Sequence, residues 1–130
     1  MISERIMIVQ KIGINNLNFN SKRTFRKNFT TCAYSGKKFN VHEKKTIEHI
    51  IPQSESGENS YSNYLIVKKD WNEKRSSLPL NEFIKKYPIV KQNIISTVNE
   101  KDGEIIEGID WAEEVKCTLY KAIGYDIFDE

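Results

Sequence analysis

Cysteine, proline and long apolar runs are all scarce in this 130-residue sequence, and each scarcity removes a class of protein. The two cysteines, Cys32 and Cys117, stand far apart with no framework around them. That excludes a disulfide scaffold and suits a reducing compartment, and both thiols are expected to be small buried hydrophobes. Three prolines, 38% apolar residues and 29% charged ones exclude fibrous and disordered chains. Apolar runs such as Ile6 to Val9 and Leu65 to Val67 fall far short of the ~20 residues that cross a bilayer, so no membrane partner is expected. The opening M-I-S-E-R-I-M-I-V-Q lacks the long apolar region of a secretory signal, which makes the cytoplasm the expected location. One domain spanning residues 1–130 is expected, because the length supports a single core but not two.

The charge that is present is unevenly placed. Residues 1–91 carry 17 Lys and Arg against 8 Asp and Glu, whereas residues 92–130 carry 3 against 10. A polyanion is the natural partner for the first part, with a merely solvated basic surface as the alternative. The acidic remainder offers a surface for a protein partner, a shield for a basic cleft, or the outer face of a core helix.

Along the chain, Met1 to Ile14 is rich in aliphatics with no clear period and reads as a helix or strand packed on the core. Asn15 to Asn20 reads as a turn. In S-K-R-T-F-R-K-N-F, Phe25 and Phe29 are spaced i, i+4 as in a helix that buries one face, leaving the neighbouring cations free for phosphates. Cys32 to Phe39 reads as a tight hairpin turning at Gly36. Ser35 stands where a zinc knuckle needs a second sulfur, so no structural zinc is expected.

Lys44 to Ile51 reads as a strand stopped by Pro52, Gln53 to Ser62 as a loop, Tyr64 to Val67 as a second strand, and Lys68 to Ser76 as a helix. Apolar spacing then gives helical faces at Leu80, Phe83, Ile84 and Tyr87, and at Val90, Ile94, Ile95 and Val98. Lys101 to Gly108 is a loop or short hairpin. Asp110 and Glu113 can cap a last helix with the stripe Ala112, Val115, Leu119, Ala122 and Ile123. The expected fold class is α+β.

The stretch from Thr46 to Pro79 holds the residue types for metal-assisted chemistry. A carboxylate at Glu48 and an amide oxygen at Asn72 are hard donors suited to Mg²⁺, an ion that keeps most of its waters. His49 can take a proton from water if another group fixes its tautomer, and Asn63, beside the second strand, could supply that contact. Adjacent strand residues point to opposite faces, however, so Glu48 and His49 need a distorted strand end to converge.

The run E-H-I-I-P-Q-S, then S-x-x-N at Ser60 to Asn63, an aliphatic strand, N-x-K at Asn72-Glu73-Lys74 and the downstream Pro79 together resemble the HNH endonuclease family. The likeness covers Cys32 to about Phe83 and is similar to the HNH domain of RNA-guided CRISPR nucleases, with Asn in place of the final His. It implies a small ββα-metal core with a flanking N-terminal segment and a helical C-terminal part over 84–130.

The implied activity is hydrolysis of phosphodiester bonds in DNA, possible RNA substrates included, with a catalytically inactive nucleic-acid-binding or regulatory module as the alternative. The resemblance implies that His49 is the general base, that Asn63 steadies the loop and the base, and that Glu48 and Asn72 hold Mg²⁺ or Mn²⁺. Lys74 is placed near the phosphate backbone, and Arg75, Lys68, Lys69, Lys37, Lys38, Arg26 and Lys27 are further expected nucleic-acid contacts. The sequence departs from the family pattern at Glu48, where Asp is usual, and at Ser35, where the knuckle cysteine is missing. The latter leaves the local fold to the packing of Phe39 and its neighbours.

Overall fold

The computed structural model describes residues 19–128. The expectations for Met1 to Ile14 and for most of Asn15 to Asn20 fall outside that range.

Helix α1 (Phe19–Lys27) opens the described chain. Its i, i+4 spacing turns Phe25 inward, and the chain just past its end does the same for Phe29; both rings are buried. Phe25 stacks on Tyr61 with ring centroids 4.6 Å apart, and Phe29 meets Trp111 edge-on at 4.9 Å. These contacts tie α1 to the middle and the end of the chain.

A hairpin-like knuckle follows, closed by the Thr31 and Lys38 bridge and turned by Gly36 at φ 74°, a conformation that only glycine adopts freely. Phe39 packs against the core, as expected from the missing second cysteine. Three further hydrogen bonds hold the knuckle. The Cys32 Sγ accepts from the Ser35 amide at 3.3 Å and the Lys68 amide at 3.2 Å, and Asn93 Nδ2 donates to the Tyr34 carbonyl at 2.7 Å. The sulfur therefore satisfies the backbone directly.

Strands β1 (Lys45–His49) and β2 (Tyr64–Lys68) pair antiparallel, with Glu48 opposite Leu65 and His49 opposite Tyr64. Between them runs a tight loop with short 3₁₀ turns at Gln53–Glu55 and Tyr61–Asn63. A Cβ on Gly57 would lie 1.7 Å from the Ile51 carbonyl oxygen, so the loop closes on itself too tightly for any side chain there. Helix α2 (Lys69–Arg75) leaves β2 directly and stops at Ser76, whose φ of 51° turns the chain away.

The rest is helical. Helices α3 (Leu80–Lys86) and α4 (Ile89–Glu100) bury Leu80, Phe83, Val90, Ile94 and Val98. Thr97, rather than Ile95, completes the buried face of α4, its hydroxyl donating to the Asn93 carbonyl at 2.9 Å. A two-residue hairpin, β3 (Ile105–Ile106) with β4 (Ile109–Asp110), leads into α5 (Trp111–Ala122). The Asp110 side chain caps α5 by accepting from the Glu113 amide at 3.3 Å. Trp111, Ala112, Val115 and Leu119 are buried, which makes α5 a core helix rather than a loose acidic cover.

The architecture is α+β: two small two-stranded sheets and, among the described residues, five α-helices. One apolar cluster runs from Phe25 to Ile127. No helix among the described residues is long and apolar enough to cross a membrane.

Candidate active site

The site is built where β1 ends and the loop begins. Alternation along β1 sends Glu48 to one face and His49 to the other. Cross-strand pairing holds both directions, because β2 is buried from Tyr64 to Val67 and a register slip would expose that row.

Glu48 points inward and is only 8% exposed. Its Oε2 accepts a hydrogen bond from the Tyr34 hydroxyl at 3.0 Å and lies 3.5 Å from Arg75 Nη1. Burial pushes the Glu48 carboxyl above its ordinary range, while the Arg75 charge and the Tyr34 hydrogen bond pull it down. Burial, and then the charge on Glu48, hold the Tyr34 phenol well above its usual range, so it stays protonated and donates.

Arg75 corrects the sequence reading. Grouped there with the phosphate-facing cations, it is 1% exposed, and its guanidinium is committed to the interior. Nε donates to the Leu78 carbonyl at 2.9 Å, Nη1 to the His49 carbonyl at 2.8 Å and to the Tyr34 hydroxyl at 3.1 Å, and Nη2 to the Ile50 carbonyl at 2.9 Å. A planar fork with five donors suits this clamp, which a point-like ammonium would not reproduce. Through it the end of α2 fixes the backbone that carries His49.

His49 is half-buried on the opposite face, its ring edge-on to Tyr64 with centroids 5.0 Å apart. The expected tautomer contact from Asn63 is a second correction. Asn59 makes it instead: its Oδ1 sits 2.9 Å from His49 Nε2. An acceptor facing Nε2 places the proton of a neutral ring there and leaves the lone pair on Nδ1.

Asn63 does steady the loop. Its Oδ1 accepts from the Ile51 amide at 2.9 Å, and its Nδ2 donates to the carbonyls of Ile51 at 3.0 Å and Glu58 at 2.9 Å. At 3% exposure these bonds are sheltered from water. Local amide bonding of this kind closes a loop whose backbone groups would otherwise go unpaired.

Asn72 is half-buried one turn before Arg75 on α2. It makes no hydrogen bond to Glu48 or His49. Among the described residues no group of three or more His, Cys, Asp and Glu side chains is arranged to hold a metal. One carboxylate fixed in place by Tyr34 and Arg75 suits a hard ion that keeps most of its waters. It does not suit a closed sulfur and nitrogen cage.

The remaining expected nucleic-acid contacts lie at the surface in different states. Lys27, Lys37, Lys38, Lys69 and Lys74 are exposed and Arg26 half-buried. Lys74 lies over the Trp71 ring at 4.2 Å, and Lys68 is engaged by Glu43 at 3.2 Å. Tyr34 and Asn59 are the residues that sequence reasoning missed. Nothing local marks either one, because their partners stand fourteen and ten residues away.

With this geometry in place, the comparison with protein families is decisive for the ββα segment: residues 32–80 match the family model described as HNH endonuclease. The match spans fewer than half of the chain's residues and makes this segment similar to the HNH endonuclease family. Searches of curated proteins and of solved structures gave no significant match. The HNH segment runs from Cys32 at the knuckle to Leu80 at the start of α3, and so includes β1, the loop, β2 and α2. Helix α1 and everything after Leu80 flank it.

Proposed function

We propose that this protein hydrolyses phosphodiester bonds in DNA with the help of one divalent ion, Mg²⁺ or Mn²⁺. The observation that carries the proposal is the pairing of His49 Nε2 with Asn59 Oδ1, which leaves Nδ1 as a base on a half-buried imidazole. Nδ1 takes a proton from water as the water oxygen bonds to phosphorus, the bond from phosphorus to the leaving sugar oxygen breaks, and that oxygen takes up a proton from solvent. Arg75 keeps the His49 backbone in place through its carbonyl. Asn63 holds the loop that presents Asn59.

Glu48 and Asn72 are the residues that would hold the ion, Glu48 through the carboxylate oxygen not shared by Tyr34 and Arg75. When bound, the ion supplies Lewis-acid stabilisation of the charge on the phosphate and the departing oxygen. Incubation of supercoiled plasmid with the protein and Mg²⁺ or Mn²⁺ tests the reading. Relaxed or linear product that disappears in His49→Ala supports it, and no product contradicts it. One observation favours a second reading, a non-catalytic DNA-binding module: Glu48 is already ion-paired with Arg75 in a buried setting. DNA binding without cutting is the outcome that selects it.

A further inference from the structure

A second charged feature lies outside the His49 centre. Lys22 and Arg26, one turn apart on α1, and Lys44 and Lys45, at the start of β1, line a groove of about 460 Å³. Helix α1 packs against β1, so the two pairs face one another across it. None of the four has an ion-pair partner among the described residues, whereas the nearby Lys68 is engaged by Glu43. Four cations gathered without acidic partners repel one another, and a polyanion relieves that repulsion.

Position relates the groove to the active site. Strand alternation puts Lys45, Ile47 and His49 on one face of β1, with Glu48 on the other. Four residues of strand separate Lys45 from His49 by about 13 Å, which corresponds to a few nucleotides along one strand of a duplex. Lys22 and Arg26 precede the HNH segment at 32–80, so the groove joins a flanking helix to the ββα unit.

We infer that the groove between α1 and the start of β1 is a docking site for the sugar-phosphate backbone of duplex DNA, holding the substrate strand a few nucleotides from the bond presented to His49. The choice of DNA as the polyanion rests on the nuclease reading. The groove supplies backbone contacts only, which position a duplex without reading its sequence. It makes α1 a working part of substrate binding and gives a reason for the basic stretch that begins at Lys22.

Binding of a fluorescein-labelled B-form DNA duplex to the full chain, followed by anisotropy in chelator over a series of salt concentrations, tests the inference without cutting. The Lys22→Gln/Arg26→Gln and Lys44→Gln/Lys45→Gln variants are each expected to bind about tenfold or more weakly, with a log-log salt slope flatter by about 1 for every phosphate contact removed. The control Lys116→Gln/Lys121→Gln, which removes the same charge from α5, is expected to keep most of the affinity. Thermal midpoints of all variants by circular dichroism identify any loss that comes from unfolding. Unchanged slopes in both groove variants, an equal loss in the α5 control, or tighter binding of an A-form RNA duplex overturns the inference. Plasmid cutting is a separate readout. Cutting by the wild type with unaltered binding in the groove variants removes the docking site alone, and groove-dependent binding without cutting removes the nuclease reading alone.

Discussion

Arg75 and Glu48 meet in the interior with 3.5 Å between Nη1 and Oε2, and the same guanidinium holds the backbone carbonyl of His49 at 2.8 Å. One buried side chain thus joins the carboxylate on one face of β1 to the backbone of the histidine on the other. The structure keeps Glu48 and His49 on opposite faces of β1 and links them only from behind, through Arg75 on α2.

Loss of Arg75 removes four hydrogen bonds and leaves Glu48 as an unpaired buried charge. Arg75→Met is expected to destabilise the fold by about 3–5 kcal/mol, the usual cost of breaking a buried pair from one side. Urea denaturation with and without the substitution measures it. A variant of wild-type stability with weakened DNA binding would return Arg75 to the phosphate-contacting group.

Asn63 carries three hydrogen bonds at 3% exposure. At about 1 kcal/mol each, Asn63→Ala should lower stability by roughly 3 kcal/mol and reduce cutting in parallel. Stability by denaturation and cleavage at a temperature where the variant stays folded separate the two effects. Full stability in the variant would show that the loop holds without it.

Asn59 touches His49 from the exposed side of the loop, so its effect should fall on catalysis rather than on folding. Asn59→Ala should lower the cleavage rate while the thermal midpoint moves little. Asn59→Asp places an anion beside the ring, which favours the imidazolium and moves the acidic limb of the pH-rate profile to higher pH. An unmoved limb in Asn59→Asp would mean that the contact does not govern the base.

Binding of a divalent ion to the folded state alone raises stability by mass action, about 2.7 kcal/mol at a hundred times the dissociation constant. Mn²⁺ is therefore expected to raise the thermal midpoint of the wild type without DNA. Glu48→Gln and Asn72→Ala should lose part or all of the increase relative to their own metal-free midpoints. Equal increases in all three proteins would place the ion elsewhere.

The order of elements was legible from local pattern. Branched and aromatic residues at Tyr64 to Val67, the stop at Pro52 and the helix-forming run after Lys68 all agree with β1, β2 and α2 as found. The spacing of Phe25 and Phe29 and the Asp110 cap were equally local signals. Arg75 was misread because a charged residue closing a short, highly charged helix has the pattern of a solvated one. Its burial depends on carbonyls of His49 and Ile50, 26 and 25 residues earlier, that no window of sequence brings together. The Asn59 contact has the same origin: loop closure by Asn63 and Gly57 decides which of several asparagines faces the imidazole. In α4, Thr97 took the place expected of Ile95 because its hydroxyl satisfies itself on the Asn93 carbonyl, which removes the cost of burying it.

Relaxation of supercoiled plasmid by the wild type and by His49→Ala, with Mg²⁺ or Mn²⁺ and with chelator, bears most directly on the proposal that His49 is the base of a metal-dependent nuclease. The wild type should give relaxed and then linear DNA only with the ion, and His49→Ala should be slower by about 10²–10⁴, the contribution of a positioned base. Cutting by His49→Ala at the wild-type rate, or no cutting by a folded wild type that binds DNA, would contradict it.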